Sequence, residues 1–362
     1  MWKSGRLDTI PVQRLKVVQV GLGVWGRDWA WRINPSVADV EVVGYVDPEP
    51  AAFAQLQREL DVDAERCFSS LKAAVDTTAP DAALVTTTLP AHEPLTRAAL
   101  EAGLHVLVEK PFTDSLETAK DLVHLAADRG RTLMVSQNYR WFPASRTAAA
   151  LTREGSLGEL YAISIDFRRN SASPPHPRRR HHSDTQPLLF DMSVHHFDLL
   201  RMVVGAEPDS IFCTAPPMPW TGFDGPPAAF ATIRFDRVAV SYRASWVSAA
   251  PITAWAGEWN MEFERGSVAW TSRGDEGILN DRVTVRPRRG RAKHLMLPEL
   301  GAVDRAGTLT EFATAIREGR EPETSGRDNV ATLAFMVAAA ESAARNESVA
   351  VAGDPPPRLN RL

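Results

Sequence analysis

Cysteine is nearly missing from this chain: Cys67 and Cys213 stand alone among 362 residues, far apart and without a Cys-x-x-Cys spacing. That scarcity excludes a disulfide framework and a cysteine zinc site, and it fits a reducing cytoplasm. Long apolar runs are missing too. No uninterrupted run reaches the ~18 residues of a membrane helix, and the opening MWKSGRLDTIPVQR holds no apolar signal stretch, so neither secretion nor membrane insertion is expected. A basic excess is the third absence. Lys plus Arg total 41 against 45 Asp plus Glu, a net charge of −4, whereas a binder of phosphate backbones normally carries the opposite balance. Nucleic acid is therefore not an expected partner.

An apolar fraction of 44% with 24% charged residues is ordinary for a compact globular protein. The length exceeds one ordinary domain and predicts two. From Leu15 to about residue 140, short β-branched runs alternate with amphipathic stretches: LKVVQV, VEVVGYVD, AALVTTT, LHVLVEK and TLMVSQ. This alternation predicts an α/β Rossmann domain with a parallel sheet over 1–140. Beyond it, YAISIDF, AFATIRF, VAVSYRASW and NMEFER alternate at period two, with helices expected near Asp191–Val204, Thr308–Glu318 and Asn329–Arg345. An α+β substrate-binding and oligomerisation domain with a mainly antiparallel sheet is predicted over 141–362. A loop rich in Pro, Arg and His spans 170–187, and PPP stands at Pro355–Pro357.

Gly21-x-Gly23-x-x-Gly26 follows the first strand directly. The first glycine turns the chain, the second admits a pyrophosphate, and the third lets helix and strand approach closely. Val24 and Trp25, inside the motif, fall at the same phosphate site. Asp47 ends the second strand 21 residues after Gly26, where a carboxylate accepts from a ribose 2′-hydroxyl and repels a 2′-phosphate. NAD is the expected cofactor, with NADP possible; the other use of Asp47 is as a cap for the helix that follows.

Lys110, in Val108-Glu109-Lys110-Pro111, stands at the carboxyl end of a strand, the edge where open α/β sheets bind ligands. Pro111 restricts it to extended geometry and is a candidate cis proline; taken alone, Lys110 also reads as a solvated loop lysine. Further on, Asp191, His195 and Asp198 stand at i, i+4 and i+7, which on an α-helix is one face. A carboxylate one turn from an imidazole raises its basicity and makes it a general base. The plainer alternative is a cap at Asp191 with His195 packed in the core. His196, about 100° round the helix, suits a structural role better.

These motifs resemble the Gfo/Idh/MocA family of glucose-fructose oxidoreductase and inositol dehydrogenase. The resemblance rests on GLGVWG, Glu109-Lys110-Pro111, NYRWFP at 138–143, the Asp191-x-x-x-His195-x-x-Asp198 series and the closing EFATAIREGREPETSGRDNVATLAFMVAAAESA. It implies that Lys110 and His195 lie at the nicotinamide with Asp191 supporting the histidine. It also implies that Thr87, His92 and Glu109 lie in the cofactor loops and that Asn138, Tyr139 and Arg140 border the substrate. Ser193 departs from a common glycine, and Leu89 from a common asparagine. Arg178, Arg179 and Arg180 read as a solvated or subunit-contact loop. His181 and His182 lack ligand-spaced partners, so no metal is expected. Trp220, Trp246, Trp255, Trp259 and Trp270 are expected mostly at the interface of a homo-oligomer, a dimer or tetramer.

The function that follows is hydride transfer between NAD(P) and a hydroxyl-bearing carbon of a sugar or cyclitol. Two other readings remain. The bound cofactor is recycled in a redox-neutral elimination or epimerisation, or the chain senses dinucleotide and sugar without catalysis. Retention of Lys110, Asp191 and His195 speaks against the sensor.

Overall fold

A computed structural model describes residues 13–352. Residues 1–12 and the Pro355–Pro357 run lie outside the described residues. Six parallel strands, β1 (Leu15–Val20), β2 (Val40–Val46), β3 (Cys67–Phe68), β4 (Ala82–Val85), β5 (His105–Glu109) and β6 (Leu133–Ser136), form the first sheet. Their order is β3-β2-β1-β4-β5-β6. The chain order reverses between β1 and β4, and that switch point opens the ligand crevice at the carboxyl edge. Every residue of β4 is buried, as expected of a strand covered on both faces.

The helices between these strands are α1 (Val24–Asp28), α2 (Pro50–Leu60), α3 (Leu71–Thr78), α4 (Leu89–Glu101) and α5 (Leu116–Asp128). Ser70 and Ser115 cap α3 and α5 by accepting from the backbone N–H of Ala73 and Thr118. Helix α1 is short and continues as a π-helical turn, Trp29–Ile33.

The second sheet has nine strands: β7 (Leu160–Arg168), β8 (Ser210–Thr214), β9 (Ala228–Phe235), β10 (Val238–Ser245), β11 (Glu258–Phe263), β12 (Gly266–Thr271), β13 (Arg282–Pro287), β14 (Lys293–His294) and β15 (Val349–Ala350). They lie in the order β14-β13-β12-β11-β7-β10-β9-β8-β15, antiparallel except where β7 meets β10. The expected mainly antiparallel sheet is present. Buried and exposed residues alternate along β9 and β10, so one face is covered. The remaining helices are α6 (Pro143–Glu154), α7 (Val194–Val204), α8 (Asp304–Glu318) and α9 (Gly326–Arg345). Phe197 of α7 stacks on Phe335 of α9 at 4.2 Å and meets Tyr242 of β10 at 5.4 Å.

Helix α8 goes elsewhere. Its Leu309, Phe312 and Ala313 pack with Val17, Trp29, Leu84, Leu107 and Met134, so a helix from late in the chain covers a face of the first sheet.

The tryptophan expectation needs correction. Trp246, Trp259 and Trp270 are buried within the chain, and Trp259 stacks on its cross-strand partner Trp270 at 4.6 Å. Trp259 and Trp270 occupy the inward phase of β11 and β12, and Trp246 follows directly on the end of β10. Only Trp220 of the five is strongly exposed, at 70%, while Tyr161, Phe212 and Phe230 are the exposed aromatic residues on the sheet strands.

Candidate active site

The glycine loop is built from below. Gln19 Nε2 donates to the Gly26 carbonyl at 2.6 Å, and Thr86 Oγ1 donates to the Gly21 carbonyl at 2.8 Å. Gly21 has φ +97°, a left-handed conformation that favours glycine. A Cβ on Gly26 would fall 2.0 Å from the Gly21 carbonyl oxygen, whereas a Cβ on Gly23 would meet nothing within 4 Å. The third glycine thus serves close packing and the second faces open space, the division that the motif predicts. Val24 and Trp25 are exposed on the same lip.

Asp47 Oδ2 accepts from the Leu22 N–H at 2.7 Å and Oδ1 from the Glu49 N–H at 2.9 Å. Helix α2 has Glu49 at its N-cap, with no side-chain cap bond. Asp47 therefore ties the glycine loop to the end of β2 instead of capping α2, and a carboxylate has acceptor sites left over.

His92 is buried, with Nδ1 2.8 Å from the Pro111 carbonyl and Nε2 3.3 Å from the Thr87 carbonyl. Burial lowers its basicity, outweighing the favourable carbonyls and Glu109. It clamps the loop after β4 to the loop after β5, where the Lys110–Pro111 peptide is cis. Glu109 is buried, and its Oε1 accepts from the indole N–H of Trp25, on the glycine-loop lip, at 2.9 Å and of Trp29 at 2.7 Å.

Lys110 Nζ donates to Asp191 Oδ1 at 2.9 Å and to the Asp191 carbonyl at 2.7 Å. This pair joins the end of β5 to the start of the helical segment that becomes α7. Asp191 lies in a π-helical turn, Leu189–Ser193, so the α-helical phase connecting it to His195 is interrupted. The carboxylate expected against His195 is instead committed to Lys110.

His195 is buried, its ring stacked on Tyr139 at 4.0 Å with an interplanar angle of 2°. Its Nδ1 has no hydrogen-bond partner among the described residues. Burial holds the imidazole well below its usual 6.5, and the charges of Lys110 and Arg273 push it the same way. His196 takes the structural part: Nδ1 lies 2.9 Å from the Tyr242 hydroxyl, and Nε2 donates to the Trp255 carbonyl at 2.9 Å. Tyr242 in turn donates to Ser193 Oγ at 2.7 Å, so the serine that departs from a family glycine has a partner of its own.

Asp198 and Arg140 leave the site. Arg140 Nε and Nη2 donate to Asp198 at 2.6 and 2.7 Å, and Nη2 also donates to Asp328 at 3.0 Å. Both residues are buried, and Arg140 lines a separate cleft with Arg146, Arg201, Glu207 and Asp328 that includes none of Lys110, Asp191 or His195. The expectation that Arg140 borders the substrate is corrected by this ion pairing. Asn138 instead donates to Asp304, at the start of α8.

Residues far along the chain complete the group. Arg273 Nη1 donates to the Tyr139 hydroxyl at 3.0 Å, and Arg169 lies over Trp255 at 4.1 Å while pairing with Asp275 at 2.9 Å. Sequence reading passed over Arg273, Asp304 and Trp255 in this role, because no motif ties them to the glycine loop. Arg178 is exposed and pairs with Asp224, and His182 is buried against Phe223. Among the described residues, no three His, Cys, Asp or Glu gather as a metal site.

Comparison with known proteins agrees with this two-domain fold. Residues 15–137 match the model of the oxidoreductase family with an NAD-binding Rossmann fold, and residues 145–269 match the Gfo/Idh/MocA C-terminal domain. An inositol 2-dehydrogenase of Rhizobium meliloti is 25% identical over 92% of this chain and 98% of its own length. A D-apiose dehydrogenase of Paraburkholderia graminis is 24% identical over 94% and 91%. The crystal structure of an inositol dehydrogenase homolog from Azotobacter vinelandii, complexed with NADH and myo-inositol, superposes with a TM-score of 0.79 at 20% identity, covering 93% of this chain and 98% of that one. With both halves matched in order and the lysine, aspartate and histidine gathered at the sheet's carboxyl edge, the chain belongs to the Gfo/Idh/MocA family of NAD-binding oxidoreductases.

Proposed function

We propose that the protein is an NAD-dependent dehydrogenase that oxidises a secondary hydroxyl of a sugar or cyclitol. The observation that carries this reading is the pairing of Lys110 with Asp191 beside the buried, neutral His195. The open space at Gly23 and the free acceptor capacity of Asp47 suit a dinucleotide. When bound, NAD supplies the hydride acceptor. His195, its ring plane fixed by Tyr139, takes the hydroxyl proton, and the Lys110 ammonium donates to the same oxygen as negative charge develops there. Asp191 acts on the lysine, holding the ammonium in place. The names of the relatives support the substrate class.

Absorbance at 340 nm across a panel of aldoses, inositols and sugar acids tests the reading. Turnover of at least one with NAD is expected; NADH binding with no turnover anywhere would leave a sensor.

Cofactor choice is expected to rest on Asp47. Like charges ~4 Å apart cost about 4 kcal/mol at an effective dielectric of 20, so NADH should bind more tightly than NADPH. Asp47→Ser should narrow the ratio. It should also weaken both cofactors, since serine cannot hold Leu22 and Glu49 together. Fluorescence titration reads both effects, and equal affinities in the native protein would remove Asp47 from cofactor choice.

The glycines should separate fold from binding. Gly26→Ala is expected to lower both melting temperature and NADH affinity, because its methyl collides with the Gly21 carbonyl. Gly23→Ala should keep the melting temperature and lose NADH affinity alone. Undiminished binding by Gly23→Ala would mean that the cofactor does not lie against that lip.

A further inference from the structure

We propose that Arg273 reads a carboxylate on the substrate, so that the site takes acidic sugars, aldonates or uronates, ahead of neutral polyols. This rests on the dehydrogenase reading above and names the substrate class within it.

Three cations, Lys110, Arg169 and Arg273, stand about His195 and Tyr139, and two of them have a close carboxylate. Lys110 has Asp191 at 2.9 Å, and Arg169 has Asp275 at 2.9 Å. Arg273 differs. Its hydrogen-bond partner is the phenol of Tyr139, and its ion pair is a long one, 3.9 Å from Nε to Asp304 Oδ1. That same Asp304 oxygen already accepts from Asn138, and Arg273 Nε has no hydrogen-bond partner among the described residues. A guanidinium stays charged at any relevant pH. Largely buried and short of acceptors, it favours an incoming anion, and its planar fork matches a carboxylate.

The backbone gives a second, independent indication. Among the described residues, five non-glycine residues have left-handed φ angles: Asp61, Ala79, Arg273, Asp304 and Asn346. Asp61, Ala79 and Asn346 end helices α2, α3 and α9, where that conformation is common. Arg273 and Asp304, both at φ +56°, end no helix, and they face each other as the long ion pair. Unfavourable backbone of this kind gathers where a side chain must be aimed.

The aim is firmly held. The Arg273 N–H donates to Asp281 Oδ1 at 2.8 Å, its carbonyl accepts from the Trp255 N–H at 2.9 Å, and Asp281 also accepts from Ser272 at 3.0 Å and Ala144 at 3.1 Å. Tyr139 connects this fork to His195, stacked on the one and bonded to the other. The side chain still keeps 18% of its surface exposed. A carboxylate on Arg273 would hold a sugar acid by one end while a hydroxyl further along it meets Lys110.

The test compares matched pairs: glucuronate with glucose, galacturonate with galactose, and gluconate with myo-inositol, each by NAD reduction in the full-length protein. The acid of at least one pair should exceed its neutral partner in kcat/KM by on the order of tenfold or more. Arg273→Met should collapse that ratio toward one, chiefly through KM, and Arg273→Lys should restore part of it. Neutral members turned over as well as acids, or a ratio untouched by Arg273→Met, would overturn the proposal. Should Met prevent folding, Arg273→Lys alone still reports, through a reduced ratio. If nothing in the panel is turned over, the dehydrogenase reading fails separately. Thermal stabilisation by gluconate but not myo-inositol, lost on substitution of Arg273, would then keep the carboxylate site, and its absence would end it.

Discussion

Lys110→Met is expected to lower kcat for NAD reduction by about 10²–10³-fold, the loss typical of removing one donor to a developing oxyanion, about 2.7–4 kcal/mol. Its ammonium is held by two bonds to Asp191 and anchored on the end of β5, so little reorganisation accompanies the reaction. Methionine keeps most of the bulk and removes the charge. A second effect separates this role from simple damage. His195 is held low first by burial and then by Lys110, Arg273 and His196, so removing the Lys110 charge should raise it. In the native enzyme the base stays neutral below its usual 6.5, and the acid limb of kcat/KM should lie below that value. In Lys110→Met the limb should move upward in pH. An unchanged kcat would remove Lys110 from the chemistry, and a static limb would remove its charge from the neighbourhood of His195.

Asp198→Ala should be the most destabilising single change at the ion network. Arg140 would keep its charge in a buried place with its bidentate partner gone, and Thr332, which donates to Asp198 at 2.9 Å, would lose an acceptor. Breaking a buried pair from one side costs about 3–5 kcal/mol, which for a chain of this size lowers the melting temperature by on the order of 10 °C. Asp198→Asn, retaining the shape and one acceptor, should cost less. A melting temperature within about a degree of native for the alanine variant would mean that Arg140 finds another counterion. The same network should weaken in acid. Against burial, which raises it, Arg140 and Arg201 hold the Asp328 carboxyl below its usual 3.8. The stability this contributes is full above 3.8 and is lost as pH falls through the lowered value.

Five of the six strands of the first sheet were readable because each is a mainly apolar run in alternation with helical stretches, and because the glycine spacing states its mechanics in sequence; β3, only Cys67–Phe68, is too short to leave such a run. The position of Lys110 at a strand's end was readable, but that place alone fits a solvated loop lysine equally, and only the family resemblance pointed it at the site. The partner of Asp191 was not, since a π-turn at Leu189–Ser193 leaves no distinct residue pattern and changes which neighbour the carboxylate meets. Arg273 and Asp304 were hidden for another reason: left-handed backbone at an arginine or aspartate has no signature comparable to glycine. The inward tryptophans did leave a signal, in the alternation Trp259, Met261, Phe263 on one strand and Val268, Trp270 on the next.

Helix α8 has a consequence for synthesis. The face of the first sheet formed by Leu84, Leu107 and Met134 is complete as soon as β6 emerges from the ribosome, but Leu309 and Phe312, which cover it, are translated far later. The nascent chain therefore carries a partly uncovered apolar surface while β7 to β14 are made, the kind of surface on which growing chains aggregate or meet chaperones. This face of the first sheet is closed only once α8 has been made, whereas the opposite face is covered by helices translated between the strands.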